Sequence, residues 1–323
     1  MRRRRRMPSI YILLYLLFLL LVFILPAIII SCGRHKEPEV TTATPDISYN
    51  ALNDSYKYSL ATGFSWVDLM SYASASRKKS DEAPVSIQQL VNLLSDNNYK
   101  YDKGVFNKNR QFYSILLDDI IGPYSYERQK PSGLNGTTGS APASANGIRL
   151  FYPIPSGFKY THNDDFGAPR SYAGITKHEG NDIMAEAGTP VIAIESGYVE
   201  KIGWNNAGGY RISIRSSNGK RLYYYAHFSD YSDATKQLVP AKGSDPTEKK
   251  YIEAGTVIGY VGSTGSSTVP GTSGLFASHL HVQVGLALKK NETTWVNPYG
   301  FIKFIENNAI KQSMDNFITI KTK

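Results

Sequence analysis

The sequence predicts a mostly β fold, with an antiparallel sheet preceded by a small helical region and an N-terminal membrane anchor. Three observations support this prediction. Residues 10–30 carry no charge and follow a run of arginines, apolar residues recur every three or four positions between residues 65 and 121, and β-branched runs bounded by turn residues fill residues 148–303. With 323 residues, of which 41% are hydrophobic, the chain can build a core in at least one domain.

The uncharged segment from Ile10 to Ile30 is long enough to cross a bilayer, and Arg2–Arg6 before it should stay cytoplasmic. It ends in Ile29-Ile30-Ser31-Cys32, which resembles the bacterial lipobox, where the cysteine is lipidated and the preceding signal is removed. We prefer a lipidated Cys32 to the alternative of an uncleaved transmembrane helix within residues 1–32. Both place the remainder of the chain outside the cytoplasmic membrane, facing the periplasm or the cell wall. Because Cys32 is the only cysteine, no internal disulfide can form.

Composition predicts the organisation of the remaining chain. Polar residues without clear periodicity predict a tether, helical periodicity predicts a small accessory region, and a stretch rich in Gly, Ser and Ala predicts a flexible linker before the β domain. The helical region could be an accessory domain, a packing appendage, a spacer, or a shield over the cleft. The expected ranges are 33–60 for the tether, 61–126 for the helical region, 127–147 for the linker, 148–303 for the β domain and 304–323 for a C-terminal tail.

Turn signals divide the β domain into strands. Ser196-Gly197 and Asn218-Gly219 are typical of tight turns, and each separates two runs rich in β-branched or aromatic residues. Such closely spaced runs predict a mostly antiparallel sheet. The predicted strands are 189–194, 198–202, 211–215, 222–227, 255–262 and 278–286.

The last of these strands carries chemistry. From Ser278 to Leu286, alternation places His279, His281 and Gln283 on one face, while the residues between them are aliphatic and suit a core. The two imidazoles would lie about 7 Å apart along the strand.

Two further features add to this strand. His178 and Asp182 lie four residues apart, in a segment whose Gly180 and Asn181 indicate a loop running into a strand, and His227 ends another predicted strand. An imidazole nitrogen and a carboxylate oxygen in this arrangement can converge on one metal ion. Either spacing alone is weak, since alternate histidines on a strand are often only exposed. Together in one β domain they predict a metal-dependent hydrolase.

Charge excludes a nucleic-acid-binding class. The net charge is +9, but five of the positive charges are Arg2–Arg6, and residues 148–300 carry 15 basic and 13 acidic side chains by count in the sequence. No basic face therefore remains on the β domain.

From about Phe151 to Tyr299 the chain resembles the lysostaphin-type (LytM-domain) zinc metalloendopeptidases, which cut the peptide part of peptidoglycan. The resemblance rests on four segments in order: His178-Glu179-Gly180-Asn181-Asp182, Tyr225-Ala226-His227, Gly259 to Gly265, and His279-Leu280-His281. It implies the LytM-type (duplicated hybrid motif-like) β fold.

The resemblance also implies residue roles. His178, Asp182 and His281 would bind one Zn²⁺ ion, and His227 and His279 would line its open side to move protons or stabilise charge. The implied protein is a membrane-tethered endopeptidase, with peptidoglycan and the membrane as partners and no protein partner indicated. The bond it cuts stays open, because glycyl-glycine bridges and direct D-amino-acid cross-links both fit.

Two alternatives belong to other classes of protein. One is a noncatalytic LytM-like domain that binds peptidoglycan or activates another cell-wall hydrolase; the other is a metal-binding or adhesive surface lipoprotein. The sequence retains every expected ligand, which favours the enzyme. We expect His162 and His35 to be solvated, and the long connections 229–254 and 266–274 to border the cleft and influence substrate choice.

Overall fold

In a computed structural model of the chain, the described residues are 44, 45, 47–75, 86–95, 100–121, 148–172 and 175–309. The chain divides into two compact units, residues 1–43 and 44–323, and all described residues belong to the second. The predicted anchor with Cys32, the predicted linker and most of the predicted tail lie outside the described residues. Within the described ranges, no helix is both long and apolar enough to span a membrane.

Among the described residues, four helices precede the sheet, and two lie within or after it. Helix α1 ends at Gly63, whose φ of 74° lies in the left-handed region where glycine carries no steric penalty. Helix α4 begins after Asp102, whose side chain accepts a hydrogen bond from the Val105 N–H as an N-cap. The helices are α1 (Tyr49–Thr62), α2 (Trp66–Ala75), α3 (Ile87–Ser95), α4 (Lys103–Leu117), α5 (Asp233–Lys236) and α6 (Tyr299–Asn308).

Two helices differ from the expected ranges. Helix α1 lies mostly within the segment expected to be a tether. It buries only Leu52, Ser55 and Tyr56, so its mainly polar sequence shows no clear helical periodicity of apolar residues. Helix α6 crosses the expected start of the C-terminal tail, and its Phe301 and Phe304 are fully buried. Burial against other elements therefore determines that these two segments are helical.

The β domain is mostly one large antiparallel sheet, which confirms the β-sheet part of the predicted fold class. Its order is β1-β4-β11-β8-β7-β6-β9, with β12 beside β11, β10 beside β8, and β5 beside β10; β2 and β3 form a separate hairpin. The strands are β1 (Tyr160–Thr161), β2 (Pro169–Tyr172), β3 (Ile175–Lys177), β4 (Asn181–Ala185), β5 (Pro190–Ile192), β6 (Gly197–Asn205), β7 (Gly209–Ser216), β8 (Arg221–Tyr231), β9 (Tyr251–Ile252), β10 (Val257–Val261), β11 (His279–Lys289) and β12 (Glu292–Val296).

The central strands of this sheet have two chemically different faces. In the back face, Val282 and Val284 of β11 lie opposite Tyr225 and Tyr223 of β8, and all four are fully buried. These residues share one hydrophobic core with helical side chains that include Tyr56, Trp66, Tyr113, Leu116 and Phe304. In the front face, His281 lies opposite Asp182 on one side and Ala226 on the other.

Arg221 joins the helices to the back face. Its side chain is fully buried and forms a two-point ion pair with Glu195, with separations of 2.8 and 2.6 Å. Its Nη1 donates to the carbonyl oxygens of Ile115 and Asp118, each at 3.0 Å. The last carbonyls of a helix lack partners within the helix, so Arg221 satisfies the end of α4. The helical region is thus packed against the face opposite to the predicted site.

Candidate metal centre

The structure brings the three predicted ligands together on the front face. His178 lies in the loop before β4, Asp182 lies in β4, and His281 lies directly across from Asp182 in β11. The Nε2 atom of His178 is 2.9 Å from Nδ1 of His281 and 3.0 Å from Oδ1 of Asp182. Nδ1 of His281 is 2.8 Å from the same Oδ1. These three residues each offer a ligand atom to one small volume.

This arrangement fits a zinc ion. Two imidazole nitrogens and one carboxylate oxygen are a donor set used by zinc, and ligand atoms on one tetrahedral zinc lie roughly 3.3 Å apart for bonds of about 2.0 Å. The observed separations of 2.8 to 3.0 Å are close to that value. The site also leaves no room for a side chain at position 180, because a Cβ atom at Gly180 would lie 2.5 Å from Cε1 of His281 and 2.7 Å from the Val282 carbonyl oxygen.

The backbone of Asp165 orients His178. Nδ1 of His178 lies 3.0 Å from the Asp165 carbonyl oxygen. A carbonyl oxygen can only accept, so Nδ1 carries a proton in either protonation state, and in the neutral ring that binds a metal Nε2 is directed at the cluster with its lone pair. Asp165 lies 13 residues from His178 without any recognisable motif, so sequence reasoning missed it.

His227 and His279 lie beside the cluster. Their ring centroids are 4.7 Å apart, and the His227 ring is 5.8 Å from that of His281. Nδ1 of His227 is 2.7 Å from the Thr264 carbonyl oxygen, and Nδ1 of His279 is 2.8 Å from that of Ala277. Both Nδ1 atoms therefore donate, and Nε2 of each neutral ring is left as an acceptor.

The backbone of His227 is unusual. Its φ is 65°, a left-handed conformation that a side chain with a Cβ rarely adopts. This residue lies at a register shift between β7 and β8, and its N–H donates to the Gly208 carbonyl oxygen at 2.8 Å. Strain of this kind persists where the surrounding structure fixes it, and it is concentrated at functional sites.

The site perturbs the pKa values of its histidines in opposite directions in the metal-free chain. Burial, reinforced by the neighbouring His281 and His279, lowers the pKa of His227 to about 3. Burial acts in the same direction on His178, but hydrogen bonds and charges from Asp165 and Asp182 outweigh it and raise its pKa to about 9. His227 is therefore neutral at pH 7 and able to accept a proton.

Asp182 is held in its charged form. Burial opposes ionisation, but hydrogen bonds from His178 and His281 outweigh it and hold the pKa of this carboxyl well below its usual range. The carboxylate is therefore available as a ligand throughout the physiological pH range.

The two long connections follow different courses. Phe276, two residues beyond the second connection, lies 4.8 Å from the His227 ring and 5.2 Å from the His279 ring between centroids. The first connection instead runs along β6, where Ser244 accepts from the Ile202 N–H at 2.9 Å. β6 is three strands from β11, about 14 Å at the usual strand spacing. Covering an exposed strand edge is a physical reason for this course.

The expectation that His162 is solvated was wrong. Its side chain is only 3% exposed, with Nδ1 2.8 Å from Oδ1 of Asn181 and Nε2 3.3 Å from Oε2 of Glu306. His162 thus supports β4 next to Asp182. These partners are 19 and 144 residues away, which no local pattern reveals. His35 lies outside the described residues.

Known proteins share this domain. Residues 176–298 match the model of Peptidase family M23. The L-Ala--D-Glu endopeptidase of Bacillus subtilis (strain 168) is 35% identical over 153 residues, which are 47% of this chain and 42% of that protein. Lysostaphin of Staphylococcus simulans is 35% identical over 127 residues, 39% of this chain and 21% of that protein. The chain thus spans less than half the length of these curated relatives.

A solved structure is also similar to this region. The catalytic domain of the antimicrobial peptidase lysostaphin from Staphylococcus simulans is 32% identical, and the match covers 45% of this chain and 92% of that domain, with a TM-score of 0.33. The region that matches the family model contains His178, Asp182, His227, His279 and His281. The chain therefore contains, at residues 176–298, a domain that matches peptidase family M23, of the lysostaphin or LytM type.

Proposed function

We propose that this chain is a membrane-tethered zinc metalloendopeptidase that hydrolyses peptide bonds in the stem peptides or cross-bridges of peptidoglycan. The observation that carries the proposal is the convergence of His178, Asp182 and His281 beside two further histidines with accepting Nε2 atoms. The names of the two relatives, an L-Ala--D-Glu endopeptidase and lysostaphin, support a substrate in the cell wall. The tether rests on the N-terminal sequence.

His178 Nε2, Asp182 Oδ1 and His281 Nδ1 are the atoms that would hold zinc. When bound, zinc polarises a carbonyl group and lowers the pKa of water, which makes hydroxide available near neutral pH. Three protein ligands leave a position open, as in catalytic zinc sites rather than structural ones. Asp182 and His281 lie on paired strands, and the Asp165 carbonyl orients His178 in the loop before β4, which fixes all three for this task.

His227 and His279 supply proton transfer in this proposal. The carbonyl oxygens of Thr264 and Ala277 fix each Nδ1–H, so each Nε2 can take a proton and later return it to the leaving amine. Burial lowers the pKa of His227 to about 3 in the metal-free chain, so this ring is neutral at pH 7 and a weak base. Phe276 against both rings limits access of bulk water.

The test uses the full-length chain, because the helices share the core of the sheet. The zinc-loaded chain is incubated with purified sacculi of several wall types, and released fragments are read by mass spectrometry. We expect new amine termini in stem peptides or cross-bridges, which also identify the bond cut. His281→Ala should lose both zinc and cleavage.

A His227→Ala variant separates chemistry from metal binding. It should keep zinc while the cleavage rate falls by roughly 10²- to 10⁴-fold. If the wild-type chain binds zinc but releases nothing from any wall type, the proposal is wrong, and the noncatalytic domain that binds peptidoglycan or activates another hydrolase takes its place.

A further inference from the structure

The two carboxylate oxygens of Asp182 have different surroundings. Oδ1 is the atom that lies 2.8 Å from His281 and 3.0 Å from His178. Oδ2 instead accepts a hydrogen bond from Nη2 of Arg170 at 2.8 Å. One oxygen is therefore directed at the metal cluster, and the other is held away from it by a guanidinium group.

Arg170 is itself held in place by a second carboxylate. Its Nη2 lies 3.5 Å from Oδ2 of Asp165, and that oxygen lies 3.2 Å from Nδ1 of His178. The other oxygen, Oδ1, accepts from Nδ2 of Asn181 at 3.0 Å. Asp165 thus connects Arg170 to β4, which carries Asp182, and to the loop before β4, which carries His178.

We infer that Arg170 is a positioning residue that keeps Asp182 a one-oxygen ligand and so leaves a coordination position of zinc open for water. This inference rests on the proposed function. A free carboxylate can rotate and offer both oxygens to one ion, which would fill the position that water must occupy. The charge-assisted hydrogen bond from Nη2 of Arg170 holds Oδ2 and opposes this rotation.

Charge and geometry predict opposite effects for the loss of Arg170. A guanidinium close to the cluster repels a divalent cation, so removal of its charge alone would strengthen metal binding. Loss of orientation weakens binding, and removal of groups that orient metal ligands costs about 10- to 100-fold in affinity. Arg170 also pairs with Asp165, which offsets part of its repulsion of the metal. Orientation is therefore expected to dominate.

The experiment measures metal binding rather than activity. Metal-free full-length chain, as wild type, Arg170→Gln and Arg170→Lys, is titrated with zinc against a chromogenic chelator. The same proteins are loaded with Co²⁺, whose visible absorption weakens as its coordination number rises. Arg110→Gln is the matched control, because Arg110 is exposed and forms its ion pair among the described residues with Asp68 on the helices, with an Nε–Oδ1 separation of 2.6 Å.

We expect Arg170→Gln to bind zinc about 10- to 100-fold more weakly and to show a weaker Co²⁺ band, with Arg110→Gln unchanged. Arg170→Lys keeps the charge without the planar fork and should show part of both effects; it also provides the measurement if circular dichroism shows that Arg170→Gln does not fold. Zinc binding by Arg170→Gln that equals or exceeds wild type, with an unchanged Co²⁺ band, overturns the inference alone. Failure of the wild-type chain to bind zinc overturns the proposed function as well.

Discussion

Replacement of Arg221 by methionine should destabilise the chain by about 3–5 kcal/mol, although Arg221 lies on the face of the sheet opposite to the candidate metal site. The substitution removes the partner of Glu195 and the donors to the carbonyls of Ile115 and Asp118 at the end of α4. Methionine fills much of the vacated volume, so a cavity contributes little. The cost comes from leaving a buried carboxylate without its counter-ion, which is worth about that amount when one partner of a buried pair is removed.

The double variant Arg221→Met with Glu195→Gln tests this cause. Glutamine is neutral and its oxygen can still accept from the Tyr223 hydroxyl, which lies 2.8 Å from Glu195 Oε2. The double variant should therefore be more stable than Arg221→Met by about 1–2 kcal/mol, since no uncompensated charge remains.

Urea unfolding at pH 7, followed by circular dichroism, measures both variants. Arg215→Met is the control: Arg215 pairs with Glu200 at 2.7 Å, but their side chains are 24% and 40% exposed, so the loss should stay below about 1 kcal/mol. An Arg221→Met loss no larger than that of Arg215→Met would refute the role assigned to the buried pair.

The remaining predictions concern the core, the metal site and pH. A fragment of residues 148–323 should lose cooperative thermal unfolding by circular dichroism, because each of several buried helical side chains contributes about 1.5–3 kcal/mol and total stability is only about 5–15 kcal/mol. Gly180→Ala should weaken zinc binding at least about tenfold in a chelator competition, because its Cβ collides with the His281 ring. Burial opposes ionisation of Glu306, but hydrogen bonds outweigh it and hold the pKa of this carboxyl below the usual 4.5. The charged form of Glu306 therefore stabilises the folded chain above pH 4.5, and this stabilisation is lost as the pH falls through the pKa of the folded state. Glu306→Gln should accordingly be about 1–2 kcal/mol less stable than wild type in urea at pH 7, and this difference should shrink on acidification below pH 4.5.

Much of the site could be predicted because strand alternation is a local property. The order of His279, His281 and Gln283 in the sequence fixes their common face once a strand is assumed, and the structure places His281 directly opposite Asp182. Gly180 predicted that a loop runs into a strand near Asp182, and β4 begins at the residue after Gly180, Asn181.

The supporting groups could not be predicted because their partners are distant in sequence. Asp165, Arg170 and His162 contact the site only through the fold, and none belongs to a spaced motif. Helix α1 was missed for a related reason: it buries few side chains, so tertiary contact rather than periodicity decides its structure.

In strand β11, residues that pack in the core alternate with residues that lie at the candidate metal site. Leu280, Val282 and Val284 are fully buried in the core, whereas His281 belongs to the candidate metal site and His279 lies beside it. One residue inserted or deleted within this strand would exchange the two sets, burying imidazoles in the core and presenting aliphatic side chains to the metal. The length of β11 should therefore be fixed among homologous chains, and insertions should accumulate in its flanking loops.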